Sequence, residues 1–392
     1  MRVIVFTGMG GAGVSTLAAA TAAAIANSGR RTLAFGVGPG LADALATPLA
    51  GRPTPVAADL WALEGAPGAY DAPDPFLAWL RDLFAWRDMD ETVADDIAGL
   101  PGLVDLARFL ALEEHIAGEE FDAVVVDCPP LRHSVDLLAA VDAAARSLNQ
   151  VFPPREPTVF DPFLRALSGS SVSGDEVYEG GREILRRFSE LRRTLAERES
   201  ATVRLVLSAD RRSLAEVQRG VTALSLFAYS VDAAICNRIL PEDAGPWWQA
   251  RRDDERAALD DIRESLAPLP VLDVVLHARA ASGLERLASL AGLAYGRADP
   301  AEVLHRGPGQ GFSHTDGRYV LSIDLPFVQR EDIAMERQDD ALIVHLGGRS
   351  RAFELPPEVR KLDGVSSALD GETLRVTFSD QDSARATKEG RP

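Results

Sequence analysis

The residues whose types and spacing could do chemistry are Gly8-Met9-Gly10-Gly11-Ala12-Gly13-Val14-Ser15-Thr16. Val3-Ile4-Val5-Phe6 precedes them, a short apolar β-branched run that reads as a buried strand. Leu17 to Asn27 follows, almost all small or aliphatic, and reads as a helix ending near Gly29. A strand, a glycine-rich turn and a helix together make a cradle for phosphate. The N–H groups of the turn and the positive end of the helix both point at an anion. Gly8, Gly10, Gly11, Ala12, Gly13 and Val14 would supply backbone, and Ser15 and Thr16 hydroxyls. One part is missing: such loops carry a lysine just before the Ser/Thr, and that position is Val14.

Two further strands end in polar residues. Phe121-Asp122-Ala123-Val124-Val125-Val126-Asp127 places Asp127 at its C-terminal end, and Ala233 to Asn237 places Asn237 likewise. In an open parallel sheet that edge is where ligands bind. Thr32–Phe35 and Val203–Leu207 read as two more strands, with a helix over 213–226 between Val203–Leu207 and the Asn237 strand. Strands alternating with helices predict a parallel α/β sheet. Two stretches, about 50–120 and 139–200, read as mainly helical insertions. Phe76, Trp79, Leu80, Leu83 and Phe84 share one helical face there, and Ile184, Phe188, Leu191 and Leu195 another. Such stripes belong more often to a core than to a groove. Asp74-Pro75 and Asp161-Pro162 are matching helix starts.

Composition sets the outer limits. The chain of 392 residues is long enough for two domains. Its net charge of −18 argues against nucleic acid or an anionic membrane as partner. Cys128 and Cys236 are its two cysteines, with no CxxC pair, so no zinc site is expected and a reducing cytoplasm suits it. Two thiols also cannot form a three-thiol metalloid site. No apolar run reaches the length of a membrane span, so an integral membrane protein is not expected. The glycines from Gly8 to Gly13 interrupt what would otherwise resemble a signal peptide. The only lysines are Lys361 and Lys388.

Past residue 296 the pattern changes. Residues 297–312 are polar, rich in proline and glycine, and read as a linker. Over 313–379 apolar residues alternate in short runs, at Tyr319–Leu325, Ala341–Leu346, Ala352–Leu355 and Thr373–Phe378, which predicts a small β-sandwich. Residues 380–392 read as a disordered tail.

The loop, the Asp127 strand and the Asn237 strand together resemble the arsenite-pump and tail-anchored-protein-targeting ATPases. These are dimeric P-loop NTPase relatives with a loop of the form G-K-G-G-V-G-K-[ST]-T. Asp127-Cys128-Pro129-Pro130-Leu131-Arg132-His133-Ser134 resembles the family's second switch, and Cys236-Asn237-Arg238 its adenine-contacting strand end. Leu100-Pro101-Gly102 resembles the turn before its client-facing helices. The likeness spans roughly residues 1–295. Residues Tyr319–Pro326 and Ala368–Leu374 resemble the immunoglobulin-like α-crystallin domain of small heat-shock proteins, a fusion found in a subset of this family. The tail lacks the I-x-I motif of large cage-like assemblies.

The resemblance implies ATP or ADP with Mg2+ as ligand. Asn237 and Arg238 would lie at the base, and Ser15 and Asp127 on the metal side. It also implies a cytoplasmic homodimer and a hydrophobic groove for clients such as membrane-protein segments. The departures fall on the chemistry. The signature lysine is Met9 and the second lysine is Val14. The water-positioning aspartate of the first switch falls near Gly36, and no Asp or Glu lies between Arg30 and Ala42. Losing one such electrostatic group costs about 2.7–4 kcal/mol of transition-state stabilisation, and phosphoryl transfer depends almost wholly on such groups. A degenerate family member that binds clients or a protein partner is therefore expected. A working ATPase that uses arginines, Arg132 and Arg238 being nearest by motif, and a nucleotide-independent scaffold remain open alternatives.

Overall fold

The computed structural model describes residues 1–64, 75–87, 89–151, 174–315, 318–338 and 340–379. Its centre is an eight-stranded sheet in the order β3-β4-β2-β5-β1-β6-β7-β8. The strands are β1 (Arg2–Gly8), β2 (Thr32–Gly36), β3 (Thr54–Ala57), β4 (Leu60–Glu64), β5 (Ala123–Asp127), β6 (Ala201–Leu207), β7 (Val231–Ile239) and β8 (Val271–Val275). All neighbours are parallel except the β3–β4 pair. The α/β class follows from the continuous apolar runs, which suit strands covered on both faces.

Alternation along β1 sorts the core into two layers. Ile4 and Phe6 pack with helices α1 (Val14–Asn27) and α2 (Leu41–Leu45) and with a C-terminal helix, Leu284–Tyr295. Val3 and Val5 face the other way, onto a core shared with the helical insert. That insert contains α3 (Pro75–Trp86), α4 (Glu91–Ala98), α5 (Pro101–Ala117) and the helix Gly174–Leu195. Phe76, Leu80, Ile184, Phe188, Leu191 and Leu195 are buried there, so both apolar stripes form core. The Phe76 ring meets Phe188 edge-on at 6.1 Å.

Three strands differ from expectation. Residues 54–64, read as the beginning of a helical region, form β3 and β4, and β8 carries no strong strand signal. Each is short, and its apolar residues fit a helix face as well as a strand. Asp161-Pro162, Asp74 and the tail 380–392 lie outside the described residues.

Residues 311–379 form two antiparallel sheets, one of four strands and one of three. Leu321, Ile323, Leu374, Val376 and Phe378 of the first face Leu342, Val344 and Phe353 of the second. The segment before them is pinned rather than free. Arg204, fully buried, donates to the carbonyls of Pro300 at 2.7 Å and Glu302 at 2.9 Å. Arg30 pairs with Asp299. The sandwich then docks on the sheet domain, where the Thr222 hydroxyl donates to the Pro326 carbonyl at 2.6 Å.

Candidate nucleotide site

The glycine loop is shaped by its neighbours. A Cβ on Gly8 would stand 2.0 Å from the Val206 carbonyl oxygen, so β6 admits only glycine there. Gly11 (φ 80°) and Gly13 (φ 95°) adopt the left-handed backbone that turns the chain into α1. The end of β7 clasps this turn. The Asn237 amide donates to the Ala12 carbonyl at 2.7 Å, and the Arg238 guanidinium to the Gly11 carbonyl at 2.6 Å.

Beside the loop lies a cavity of about 990 Å3. Gly10, Gly11, Gly13, Val14, Ser15 and Thr16 line it, as do Asn237, Arg238 and Asp127. Gly8 and Ala12 do not line it; Gly8 is sealed against β6, and Ala12 is buried, its N–H donating to the Met9 carbonyl at 3.0 Å and its carbonyl accepting from Asn237. Of the two arginines nearest by motif, Arg238 reaches the cavity and Arg132, exposed to solvent, does not line it. Both positions where lysines are missing, Met9 and Val14, line it with apolar side chains.

Asp127 is the most constrained group in the site. It is 2% exposed, and its Oδ1 has no hydrogen-bond partner. Burial pushes the carboxyl up to about 7; the Ser15 hydroxyl opposes this, and the charge of Glu64 adds to it. A buried, unpartnered carboxylate oxygen beside a serine hydroxyl is the donor set a hard divalent cation takes, with phosphate and water filling the rest of its shell. Among the described residues, no cluster of three or more His, Cys, Asp or Glu could hold a metal by itself.

The loop after β2 closes this end of the cavity. A Cβ on Gly40 (φ 136°) would lie 2.5 Å from the Ser15 hydroxyl oxygen. The Glu64 carboxylate accepts the N–H groups of Gly40 at 2.7 Å and Ala42 at 2.6 Å. A carboxylate does therefore serve this loop, but from the neighbouring strand, where Glu64 pairs in register with Gly36. It is spent on backbone donors.

Two groups from α5 complete the lining. Arg108 donates to Asp105 Oδ1 at 2.9 Å and to the Val37 carbonyl at 2.5 Å. Asp105 Oδ2 lies 2.7 Å from His133 Nε2. His133 lies in the first turn of α6 (Leu131–Val151), which follows the C-terminal end of β5. Arg108, Asp105 and Glu64 carry no sequence signal of their own. Arg279 also lines the cavity, from the loop after β8. Cys128 and Cys236 are buried and free, and burial raises both thiols, Cys236 up to about 12.

Comparison with known proteins agrees with this architecture. Residues 1–296 match the family described as anion-transporting ATPase, and residues 316–378 match an HSP20-like domain found within it. The Streptomyces coelicolor protein SCO2128 is 31% identical over 392 residues, covering 97% of each chain. A Chlorobaculum tepidum protein, provisionally named an arsenical pump-driving ATPase, is 26% identical over 391 residues, 96% of each chain. Mycobacterium tuberculosis protein Rv2184c is 26% identical over 415 residues, again covering 96% of each.

Proposed function

Because the chain belongs to the anion-transporting ATPase family, we propose that it keeps the family's nucleotide cavity and has lost nearly all hydrolysis. In this reading it works as a dimeric chaperone or targeting-type factor that holds hydrophobic clients or a protein partner.

One observation carries the reading. Met9 and Val14 present apolar side chains to the cavity where the family loop has lysines, and the loop Gly36–Gly40 brings no carboxylate of its own. Each missing group is worth about 10²–10³ in rate. A positioned water and neutralised phosphate charge are the main requirements of phosphoryl transfer, so several losses together remove turnover before they remove binding.

The groups left are suited to binding. The N–H groups of Gly10, Gly11, Gly13, Val14 and Ser15 would donate to phosphate oxygens at the start of α1, that of Ala12 being spent on the Met9 carbonyl. The Ser15 hydroxyl and Asp127 carboxylate would hold Mg2+, which when bound would neutralise phosphate charge. Asn237 braces the loop through Ala12, so its amide shapes the cradle as well as facing a base. For clients, the insert offers exposed Trp86, Val93 and Leu100, the last 53% exposed. No helix among the described residues is long and apolar enough to cross a membrane.

A working ATPase that relies on arginines is the second reading, favoured by Arg238 and Arg279 in the cavity lining. Steady-state phosphate release separates the two. Turnover by the wild type well above a Ser15→Ala/Asp127→Ala double variant would overturn the first reading. A nucleotide-independent scaffold would instead show no thermal shift with any nucleotide and no protection of an aggregating client.

A further inference from the structure

We propose that Arg108 supplies the positive charge missing at Val14, so that the cavity recognises its ligand by the outer phosphates through a guanidinium from the helical insert. This rests on the nucleotide-cavity reading above.

Arg108 is 7% exposed and lines the cavity, although it stands 92 residues past Thr16 in the sequence. Burying a guanidinium is costly unless its partners and its setting compensate. Its partners fix its direction. Nη1 donates to Asp105 Oδ1 at 2.9 Å and to the Val37 carbonyl at 2.5 Å. Asp105 is itself held, its Oδ2 lying 2.7 Å from His133 Nε2. The side chain is thus pre-set rather than searching, which lowers the entropy cost of engaging a ligand.

Its place in the cavity is equally defined. The Val37 N–H donates to the Asp127 carbonyl at 2.9 Å, so Arg108 stands at the end that holds Asp127, Ser15 and Gly40. Asn237 and Arg238 mark the opposite side of the loop. At the Asp127 end, the carboxylates of Asp105, Asp127 and Glu64 would repel an incoming phosphate. Arg238 is engaged with the Gly11 carbonyl, and Arg132 lies outside the lining. Arg279 also lines the cavity, from the loop after β8, but Arg108 is the guanidinium tied through Val37 to the Asp127 end, where it offsets that charge. Its planar fork suits phosphate oxygens better than a point charge does.

The alternative is a purely structural Arg108 that ties α5 to the loop after β2. Calorimetry on the full chain with Mg·ATP, Mg·ADP and AMP distinguishes them. A structural role weakens all three nucleotides alike, whereas a charge role acts in proportion to phosphate. Arg108→Gln is expected to lose about 10- to 100-fold in ATP affinity, the scale of one charge-assisted hydrogen bond, with AMP little changed. Arg108→Lys, which keeps the charge, should recover part of the ATP-to-AMP preference. An unchanged preference in Arg108→Gln, or equal loss for all three nucleotides in both variants, overturns the proposal while leaving the nucleotide cavity standing. Failure of the wild type to bind any nucleotide overturns both.

Discussion

Asp142 and Arg351 meet at 3.6 Å across the junction between the sheet domain and the sandwich, both almost wholly out of solvent. Asp142 also receives Arg146 at 3.0 Å and Arg192 at 3.1 Å, so one buried carboxylate gathers cations from three elements. Arg351 in turn donates to the Leu226 carbonyl at 2.6 Å and to Gln310 at 2.7 Å. Burial pulls its guanidinium down to about 10, with the nearby Asp142 charge opposing the drop. An ion pair this deep gives register rather than raw stability, because desolvation consumes most of its attraction.

Breaking it from one side is different. Arg351→Ala leaves the Leu226 carbonyl without this donor and Asp142 with two of its three cations. The expected cost is about 3 kcal/mol, the low end for a broken buried pair, since Arg146 and Arg192 remain. Urea unfolding should show the loss. Limited proteolysis should cut residues 297–312 faster in the variant. An unchanged midpoint and cleavage rate would show that the sandwich is held by its apolar contacts alone.

Asp127 predicts a pH dependence with a definite sign. Its carboxyl titrates near 7 in the fold against an ordinary value of 3.8, because burial penalises the charged form. Between those values the unfolded chain has released its proton while the native chain keeps it, so stability falls as pH rises through that window. At pH 8 the penalty reaches as much as about 4 kcal/mol. Asp127→Asn carries no such penalty. Thermal melts in the absence of Mg2+ should find the variant more stable than wild type at pH 8 and close to it at pH 4.5. Parallel curves at both pH values would contradict the burial argument.

What could be read beforehand was local. Gly8 to Thr16, with a strand before and a helix after, states its own conformation, and Asp127 closes a run of four apolar residues, Ala123 to Val126, that reads as a buried strand. What could not be read depends on pairing between distant segments. Glu64 serves the loop at Gly40 because β4 lies beside β2 in register, and no spacing within the sequence carries that. Arg108 enters the cavity because α5 crosses above the loop after β2, and its i, i+3 partner Asp105 reads as an ordinary surface pair until the helix is packed. The Arg351–Asp142 contact joins two domains across 209 positions for the same reason.

Gly8 and Gly40 separate stability from binding. At Gly8 an added Cβ would collide with backbone of β6 on three atoms, the nearest at 2.0 Å, and backbone cannot rotate away. Gly8→Ala is expected to cost at least the 1–3 kcal/mol or so of an overpacked core. At Gly40 the nearest atom is the Ser15 hydroxyl oxygen at 2.5 Å, a side chain at the cavity. Gly40→Ala should therefore displace Ser15 and reduce Mg·ADP binding more than it lowers the melting temperature. A Gly8→Ala protein that melts with the wild type would refute the packing argument, and a Gly40→Ala protein with normal Mg·ADP affinity would refute the crowding one.

The last expectation concerns the lost lysines. Met9→Lys/Val14→Lys returns two cations to a cavity whose glycine backbone, Ser15 and Asp127 are already in place. Each restored charge-assisted contact to phosphate is worth about 1.5–3 kcal/mol, so Mg·ATP affinity should rise by at least about tenfold over the wild type. Hydrolysis should not follow. The loop Gly36–Gly40 still lacks a carboxylate of its own, and Glu64 is committed to the N–H groups of Gly40 and Ala42. The double variant is thus expected to bind tightly and turn over no faster than wild type. A tight-binding variant that hydrolysed ATP briskly would mean that Glu64 or Asp105 can position water, and that the lysines alone were the missing chemistry.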